Sequence, residues 1–200
     1  TGLTYAEARK TPAFWAVCFI AIALNACTIG IYTQVQAYLT DVGYAAVLAA
    51  TVVSIISLCN AFAKMFFGWL DDKIGTRGNY MVAMAVFLCG LTAMLFVQQG
   101  IAVCYVAAVL FGFGLACPSI ITPMVTMAAL GQKDFAAIYS RVASFFFLGS
   151  TIGPIISGVV FDYTGSYRSA ILFYIALLVI SIVIGTNLLR KKAPEPAKAA

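Results

Sequence analysis

The sequence contains no histidine and little charge: only 10% of its 200 residues are Asp, Glu, Lys or Arg. A soluble domain carries about a quarter charged residues, because its surface faces water. With 63% hydrophobic residues and a mean hydropathy of +1.01, this chain has too few charges to cover a water-exposed surface. We therefore predict an integral membrane protein.

The lack of histidine removes a common metal ligand and general base. The six cysteines lie singly in apolar runs with no Cys-x-x-Cys pair, which indicates packing residues and neither a disulfide framework nor a zinc site. We expect no cofactor, no metal and no enzyme activity, although a Ser–Lys arrangement stays open. The first residue is not methionine and no signal peptide is visible, so we interpret the sequence as part of a longer chain.

Long apolar runs alternate with short polar segments, and period-two alternation is absent, which predicts an all-α membrane fold of six helices. We expect one transmembrane bundle over residues 1–192 and a disordered cytoplasmic tail over residues 193–200. The predicted spans are about 13–39, 45–70, 81–97, 101–130, 136–161 and 169–189.

The basic residues predict the orientation. Six spans place both termini and the turns after spans two and four on one side, which the positive-inside rule makes cytoplasmic. The opposite side carries only Arg168. The net charge of +5 is thereby explained by topology, and we predict no nucleic-acid partner. The basic residues on the cytoplasmic side are Arg9, Lys10, Lys73, Arg77, Lys133, Arg190, Lys191, Lys192 and Lys198.

A short motif occurs twice. Residues 68–75 and 158–165 both read G-x-x-x-D-x-x-G, displaced by 90 residues and each following the second span of a triplet. Because three is odd, the second triplet enters the membrane from the opposite face. The pattern predicts two inverted three-helix repeats, a construction that many transporters share.

The first copy also fits the longer pattern G-x-x-x-D-[RK]-x-G-x-[RK], through Gly68, Asp72, Lys73, Gly75 and Arg77. This resembles the conserved-loop signature of the major facilitator superfamily. Six spans with both ends inside resemble helices 7–12, the C-terminal half of that fold. Residues 3–15 and 158–168 are similar to the oxalate/formate antiporter and monocarboxylate porter branch. The resemblance implies a partner, the N-terminal six-helix half of the same carrier.

In that branch a cation on helix eight, and often one on helix eleven, meets the substrate carboxylate. Lys64 stands where monocarboxylate porters usually have Arg, and Asn60 where many have Asp. Arg141, two residues after Tyr139, lies near the helix-eleven cation of the oxalate carriers. The resemblance therefore implies that these four residues contact a small organic anion.

The residues themselves also single out Lys64. A cation at mid-membrane costs between about 3 and more than 10 kcal/mol and is normally retained for function. Ser57, Asn60 and Lys64 share a helix face with Gly68, which predicts a polar stripe facing the bundle interior. The alternative is snorkelling, because Lys64 precedes Leu70, the predicted span end, by about 9 Å of helix rise.

Other polar residues have two interpretations each. Asn25, Thr28, Tyr32 and Gln36 form a stripe that either lines a cavity or forms an interhelical hydrogen-bond seam. Arg141 lies about two turns inside its helix, where a role at the cytoplasmic rim is equally open. The prolines and glycines of the fourth span indicate either a gating helix or close packing.

We interpret Asp72, with Lys73 and Arg77, as a cytoplasmic gate latch, with Asp162 as its counterpart in the second copy; a solvated hairpin is the alternative. No acid lies deep in any span, which favours anion exchange or coupling through residues of the other half.

Together these features predict a secondary transporter of a small organic anion, of the oxalate/formate or lactate/pyruvate class, working by alternating access in a plasma or bacterial inner membrane. A carrier of neutral or drug-like solutes and a non-transporting membrane module are the alternatives.

Overall fold

The computed structural model describes residues 2–190, and these are almost entirely helical. A single 3-10 turn, Val97–Gln99, joins two of the long helices. The predicted tail at 193–200 lies outside the described residues. The α-helices are α1 Tyr5–Ala8, α2 Pro12–Tyr32, α3 Val35–Asp41, α4 Ala46–Met94, α5 Ile101–Leu130, α6 Phe135–Thr164 and α7 Tyr167–Arg190.

Within residues 2–190, five helices are long and apolar enough to cross a membrane: α2, α4, α5, α6 and α7. One of them, α4, has 49 residues. Straight, it would be about 74 Å long, more than twice the roughly 30 Å of a bilayer's hydrocarbon core.

The helix α4 is in fact a hairpin. Gly75 has φ 73° and ψ 163°, a left-handed conformation that favours glycine and reverses the chain. On α5, Gly112 lies against Ile56, whereas Gly114, two residues later, lies against Phe87. A straight helix would place Ile56 and Phe87 about 46 Å apart. The limbs 46–74 and 76–94 therefore run antiparallel beside α5, and residues 2–190 contain six long helical segments.

The helix ends differ most from the expected ones at two places. The polar turn expected at 71–79 is confined to Gly75, because the charged residues before it continue the first limb by another turn of helix. The expected continuous span at 13–39 is interrupted after Tyr32, so that α2 and α3 are separate helices. At this break the Thr33 hydroxyl donates to the Ile29 carbonyl (2.9 Å), a back-bond that bends helices.

The second copy of the repeated motif ends in the same way as the first. Gly165, like Gly75, has a positive φ (64°), and it closes α6 before α7 begins. Both glycines therefore occupy chain reversals that a side chain would strain, which explains why the motif requires glycine at its last position.

Helices α2 and α6 pack through small residues. Each facing pair is separated by 127 positions in the sequence, so the two helices run parallel and in register over two turns. Small residues at this spacing let helix backbones approach closely. The facing pairs are Gly149 with Ile22, Gly153 with Ala26, and Ser157 with Gly30.

Hydrogen bonds fix this seam to α7. The Ser157 hydroxyl donates to the Gly30 carbonyl (2.8 Å), and the buried Tyr174 hydroxyl donates to the Gly153 carbonyl (2.6 Å). The Gly30 carbonyl lies in the last turn of α2, where carbonyls lack an intrahelical donor, and the Ser157 hydroxyl supplies one. Helices α2, α6 and α7 are thereby joined at one level of the bundle.

The segment before α2 is fixed to the connection between α5 and α6. The Leu3 N–H donates to the Leu130 carbonyl (3.0 Å), and the Tyr5 N–H donates to the Asp134 carboxylate (3.0 Å). Helix α1 is closed by a capping box, in which the Thr4 N–H and hydroxyl both donate to Glu7 Oε2. These bonds lower the pKa of Glu7.

Candidate functional site

A cavity of about 400 Å³ lies among α2, the first limb of α4, α5 and α6. It is at half the length of these helices: Leu115 is the fifteenth of the 30 residues of α5, and Ser150 the sixteenth of 30 in α6. Binding sites of membrane transporters are typically near the bilayer midplane. The lining residues are Asn25, Thr28, Ile29, Tyr32, Ser57, Asn60, Lys64, Leu115, Pro118, Ser119, Phe146, Phe147 and Ser150.

Five of the residues predicted to contact substrate meet in this cavity, although they come from two helices. Asn25 and Tyr32 lie on α2, whereas Ser57, Asn60 and Lys64 lie on the first limb of α4. The spacings i, i+3 and i+7 along each helix bring these side chains to one face, and the packing of both helices on α5 turns the two faces towards each other.

Lys64 is the cation of the cavity. Its side chain is exposed on the cavity side, and no Asp or Glu is among the lining residues. Asp71, the first charged residue towards the helix end, lies seven residues further on, about 10 Å of helix rise. An extended lysine reaches only about 6 Å, so this distance disfavours simple snorkelling.

Hydrogen bonds hold the α2 residues in place. The Asn25 side-chain amide donates to the Phe146 carbonyl (2.6 Å), which ties α2 to α6. The Tyr32 and Ser57 hydroxyls are 3.0 Å apart. Because the Ser57 proton is donated to the Val53 carbonyl (2.9 Å), Tyr32 is the donor of this pair.

Asn60 lies one turn before Lys64. Its Oδ1 atom is buried and has no hydrogen-bond partner within residues 2–190. An unsatisfied buried acceptor costs about 1–3 kcal/mol, so a donor that reaches this atom would be favoured.

The structure does not bring every predicted residue to the cavity. The Arg141 guanidinium lies over the Tyr5 ring, 5.9 Å from its centroid, at the end of the bundle where α1 docks. Tyr139 stacks on Phe135 with a centroid separation of 5.4 Å. Neither residue lines the cavity, so their contact with substrate stays a prediction, and the contact with Tyr5 favours the alternative role of Arg141 at the rim.

The α6 wall of the cavity was not predicted. Phe146, Phe147 and Ser150 line it together with Ser119 and Pro118 of α5. Aromatic and serine residues are common in any membrane helix, so the sequence signal was weak. The sequence signal that could have identified this wall is the glycine face of α6, Gly149 and Gly153. Such a face packs closely on a neighbouring helix, and this packing places Ser150 beside the contact between α2 and α6.

In the charged turn, Asp71 makes the contacts. Its carboxylate accepts from the Thr76 hydroxyl (3.4 Å) and from the buried Asn79 amide (3.3 Å), which also donates to the Phe67 carbonyl (3.0 Å). Asp71 lies in the last turn of the first limb, and its carboxylate reaches the first turn of the second limb, whose dipole favours a negative charge. Asp71 and Asn79 therefore close the hairpin, a role that the sequence motif did not indicate.

The predicted gating residues lie outside this network. Asp72, Lys73, Arg77 and Asp162 are exposed. An added Cβ at Gly68 or at Gly75 meets nothing within 4 Å in the described part of the chain. The gating role of these residues stays a prediction.

Comparisons with known proteins agree with this architecture. The family model described as Major Facilitator Superfamily matches residues 18–200. A peptide transporter of the POT type, solved in complex with alafosfalin, matches with a TM-score of 0.74 at 18% identity, over 90% of this chain and 38% of that chain. At this identity the likeness shows the fold alone.

Curated relatives are MFS-type transporters. An uncharacterised one from Schizosaccharomyces pombe is 28% identical over 66% of this chain and 30% of its own length. Another, YhjX of Escherichia coli, is 26% identical over 76% of this chain and 37% of its own length. Monocarboxylate transporter 9 of Mus musculus is 28% identical over 75% of this chain and 31% of its own length. This chain thus matches about a third of each relative's length. With the family model matched over residues 18–200 and the fold of a transporter half, the chain belongs to the major facilitator superfamily, a family of integral, multi-pass membrane transporters.

Proposed function

We propose that this chain is one half of a secondary carrier that moves a small organic anion by alternating access, with Lys64 as the anion contact. The observation that carries the proposal is the position of Lys64: a cation on the wall of a polar cavity at half the length of the helices, with no acidic lining residue. A carboxylate there would form charge-assisted hydrogen bonds in a medium of low dielectric constant, where they are strong.

The relatives support the substrate class. Several of those matched are monocarboxylate transporters, including numbers 9 and 12 of Mus musculus. Lys64 supplies a point charge with three donors, whereas arginine would supply a planar fork for bidentate contacts. Lysine therefore imposes less orientation on the anion than arginine would.

Two features support the presence of a second half. The most apolar stretches of α4 and α6 are only 22% and 17% buried, against 72% for α2. The poorly buried helices are also two of those that line the cavity. In this proposal an N-terminal six-helix half covers these faces, and both termini of the present chain are cytoplasmic because the basic residues collect on that side. The exposed charges of Asp72, Lys73 and Arg77 then act between the halves as a latch.

The test is Lys64→Gln in the full-length carrier, reconstituted in proteoliposomes. We expect the affinity for a monocarboxylate to fall by about 10-fold or more, as loss of a hydrogen bond to a charged group predicts. Lys64→Arg should retain binding. Lys133→Gln, the same charge change on an exposed loop, is the matched control. Unchanged carboxylate uptake and affinity in Lys64→Gln would refute the anion site, and stabilisation by neutral compounds alone would favour the neutral-solute alternative.

A further inference from the structure

The hydroxyl groups that line the cavity already donate their protons in hydrogen bonds. Among the described lining residues, one hydroxyl group on each of α2, α5 and α6 donates to a backbone carbonyl of its own helix. Serine and threonine hydroxyls have one proton and two lone pairs, so each of these groups keeps only its acceptor capacity. The bonds are Thr28 to Leu24 (3.0 Å), Ser119 to Ala116 (2.9 Å) and Ser150 to Phe147 (2.7 Å).

Three further polar side chains of the lining, Tyr32 and Asn25 on α2 and Ser57 on α4, also donate to groups of the protein. Tyr32 donates to Ser57, whose own proton goes to the Val53 carbonyl. The Asn25 amide donates one of its two N–H groups to the Phe146 carbonyl. What these residues present to the cavity is therefore mainly oxygen lone pairs.

Apart from the second N–H of Asn25, the free donors of the lining are at one place. Lys64 has its ammonium group and Asn60 its side-chain amide, and both lie on the first limb of α4. The cavity thus has a donor corner on α4 and an arc of acceptors on α2, α5 and α6.

We infer that the substrate is a carboxylate whose remaining atoms carry hydrogen-bond donors, such as hydroxyl or N–H groups, and not a plain alkyl acid or a dicarboxylate. This inference rests on the proposed function, because the carboxylate is placed at Lys64. A ligand donor meets a free lone pair on the acceptor arc, whereas a ligand acceptor must first displace an existing hydroxyl-to-carbonyl bond. A second carboxylate on the arc would face lone pairs without a compensating cation.

The experiment compares four acids with three-carbon chains in the full-length carrier: propionate, lactate, glycerate and malonate. They carry no hydroxyl, one hydroxyl, two hydroxyls and a second carboxylate, respectively. Competition against transport of radiolabelled glycerate gives their relative affinities. We expect glycerate to bind better than lactate and lactate better than propionate, by about 2- to 10-fold per hydroxyl, with malonate the weakest.

Variants connect this order to the cavity. Ser119→Ala and Ser150→Ala remove acceptor oxygens and leave Lys64 in place, so each should lower the ratio of glycerate to propionate affinity. Ser140→Ala, an exposed serine on α6 that does not line the cavity, is the matched control. The comparison of ligands on the unmodified protein does not depend on whether a variant folds.

The outcomes separate the two proposals. If Lys64→Gln weakens all four acids but propionate or malonate binds the unmodified carrier as well as glycerate does, the donor inference is wrong and the anion site stands. If no acid binds, or if all bind regardless of Lys64, the proposed function itself is wrong. The expected order, with its loss in Ser119→Ala and Ser150→Ala, supports both.

Discussion

The packing of α2 against α6, two helices that line the cavity, is tested most directly by the substitution Gly153→Ala. Gly153 lies in the seam between α2 and α6, where an added Cβ would be 2.6 Å from the Ala26 carbonyl oxygen and 3.0 Å from the Ala26 Cα and the Gly30 nitrogen. All three are backbone atoms, so no side chain can rotate away. Gly153→Ala therefore requires α2 and α6 to move apart by most of an ångström.

The cost follows from this displacement. Overpacking of a close interface costs about 1–3 kcal/mol. The same movement would stretch the 2.8 Å bond from Ser157 to the Gly30 carbonyl beyond hydrogen-bond length, which adds about 1 kcal/mol. Alanine is a better helix former than glycine by about 0.5–1 kcal/mol, which offsets part of the loss. The net destabilisation is about 1–3 kcal/mol, or roughly 3–10 °C in Tm for a chain of this size.

A thiol-reactive fluorophore provides the assay, because Cys27 and Cys117 are fully buried and react only when the bundle unfolds. The matched control is Gly158→Ala, on the same helix, where an added Cβ meets nothing within 4 Å. We expect the Tm of Gly153→Ala to fall and that of Gly158→Ala to stay or rise. A Tm for Gly153→Ala at or above that of the unmodified protein would show that α2 and α6 do not pack as described.

Two further predictions concern the ends of the helices. Asn79→Asp places a second carboxylate about 3.3 Å from Asp71 in a buried site, so it should lower the Tm more than Asn79→Ala does. Combining Asn79→Asp with Asp71→Asn should restore much of the loss. Equal Tm values for the single and double variants would exclude the contact. The bonds from Thr4 lower the pKa of Glu7 in the folded chain. The capping box therefore contributes stability above about pH 4.5, and this contribution is lost as the pH falls through the pKa of Glu7 in the folded chain. Trp15 fluorescence should change in that pH range, and it should not change in Glu7→Ala.

The candidate site shows what helical periodicity can predict from sequence and what it cannot. Lys64, Asn60 and Ser57 could be assigned to one face because helical periodicity is local, and a polar stripe in a membrane helix must avoid lipid. Arg141 carries an equally clear charge, but it lies over the ring of Tyr5, a residue outside its own helix, and does not line the cavity. Periodicity gives the face of a residue within its own helix and not the neighbour that this face meets.

The sequence alone determined that the chain spans a membrane, that residues 2–190 form six long helical segments and that the G-x-x-x-D-x-x-G motifs mark chain reversals, because each follows from local composition and backbone conformation. The tertiary structure decided that α4 folds back at Gly75 without a longer turn, that α2 and α6 pack in register through Gly149 and Gly153, and that five polar side chains from two helices share a single cavity. These features depend on which helices approach each other and how closely. The distance of approach is set by the small residues at each contact, and a glycine or alanine in the sequence does not show which neighbouring helix it will meet.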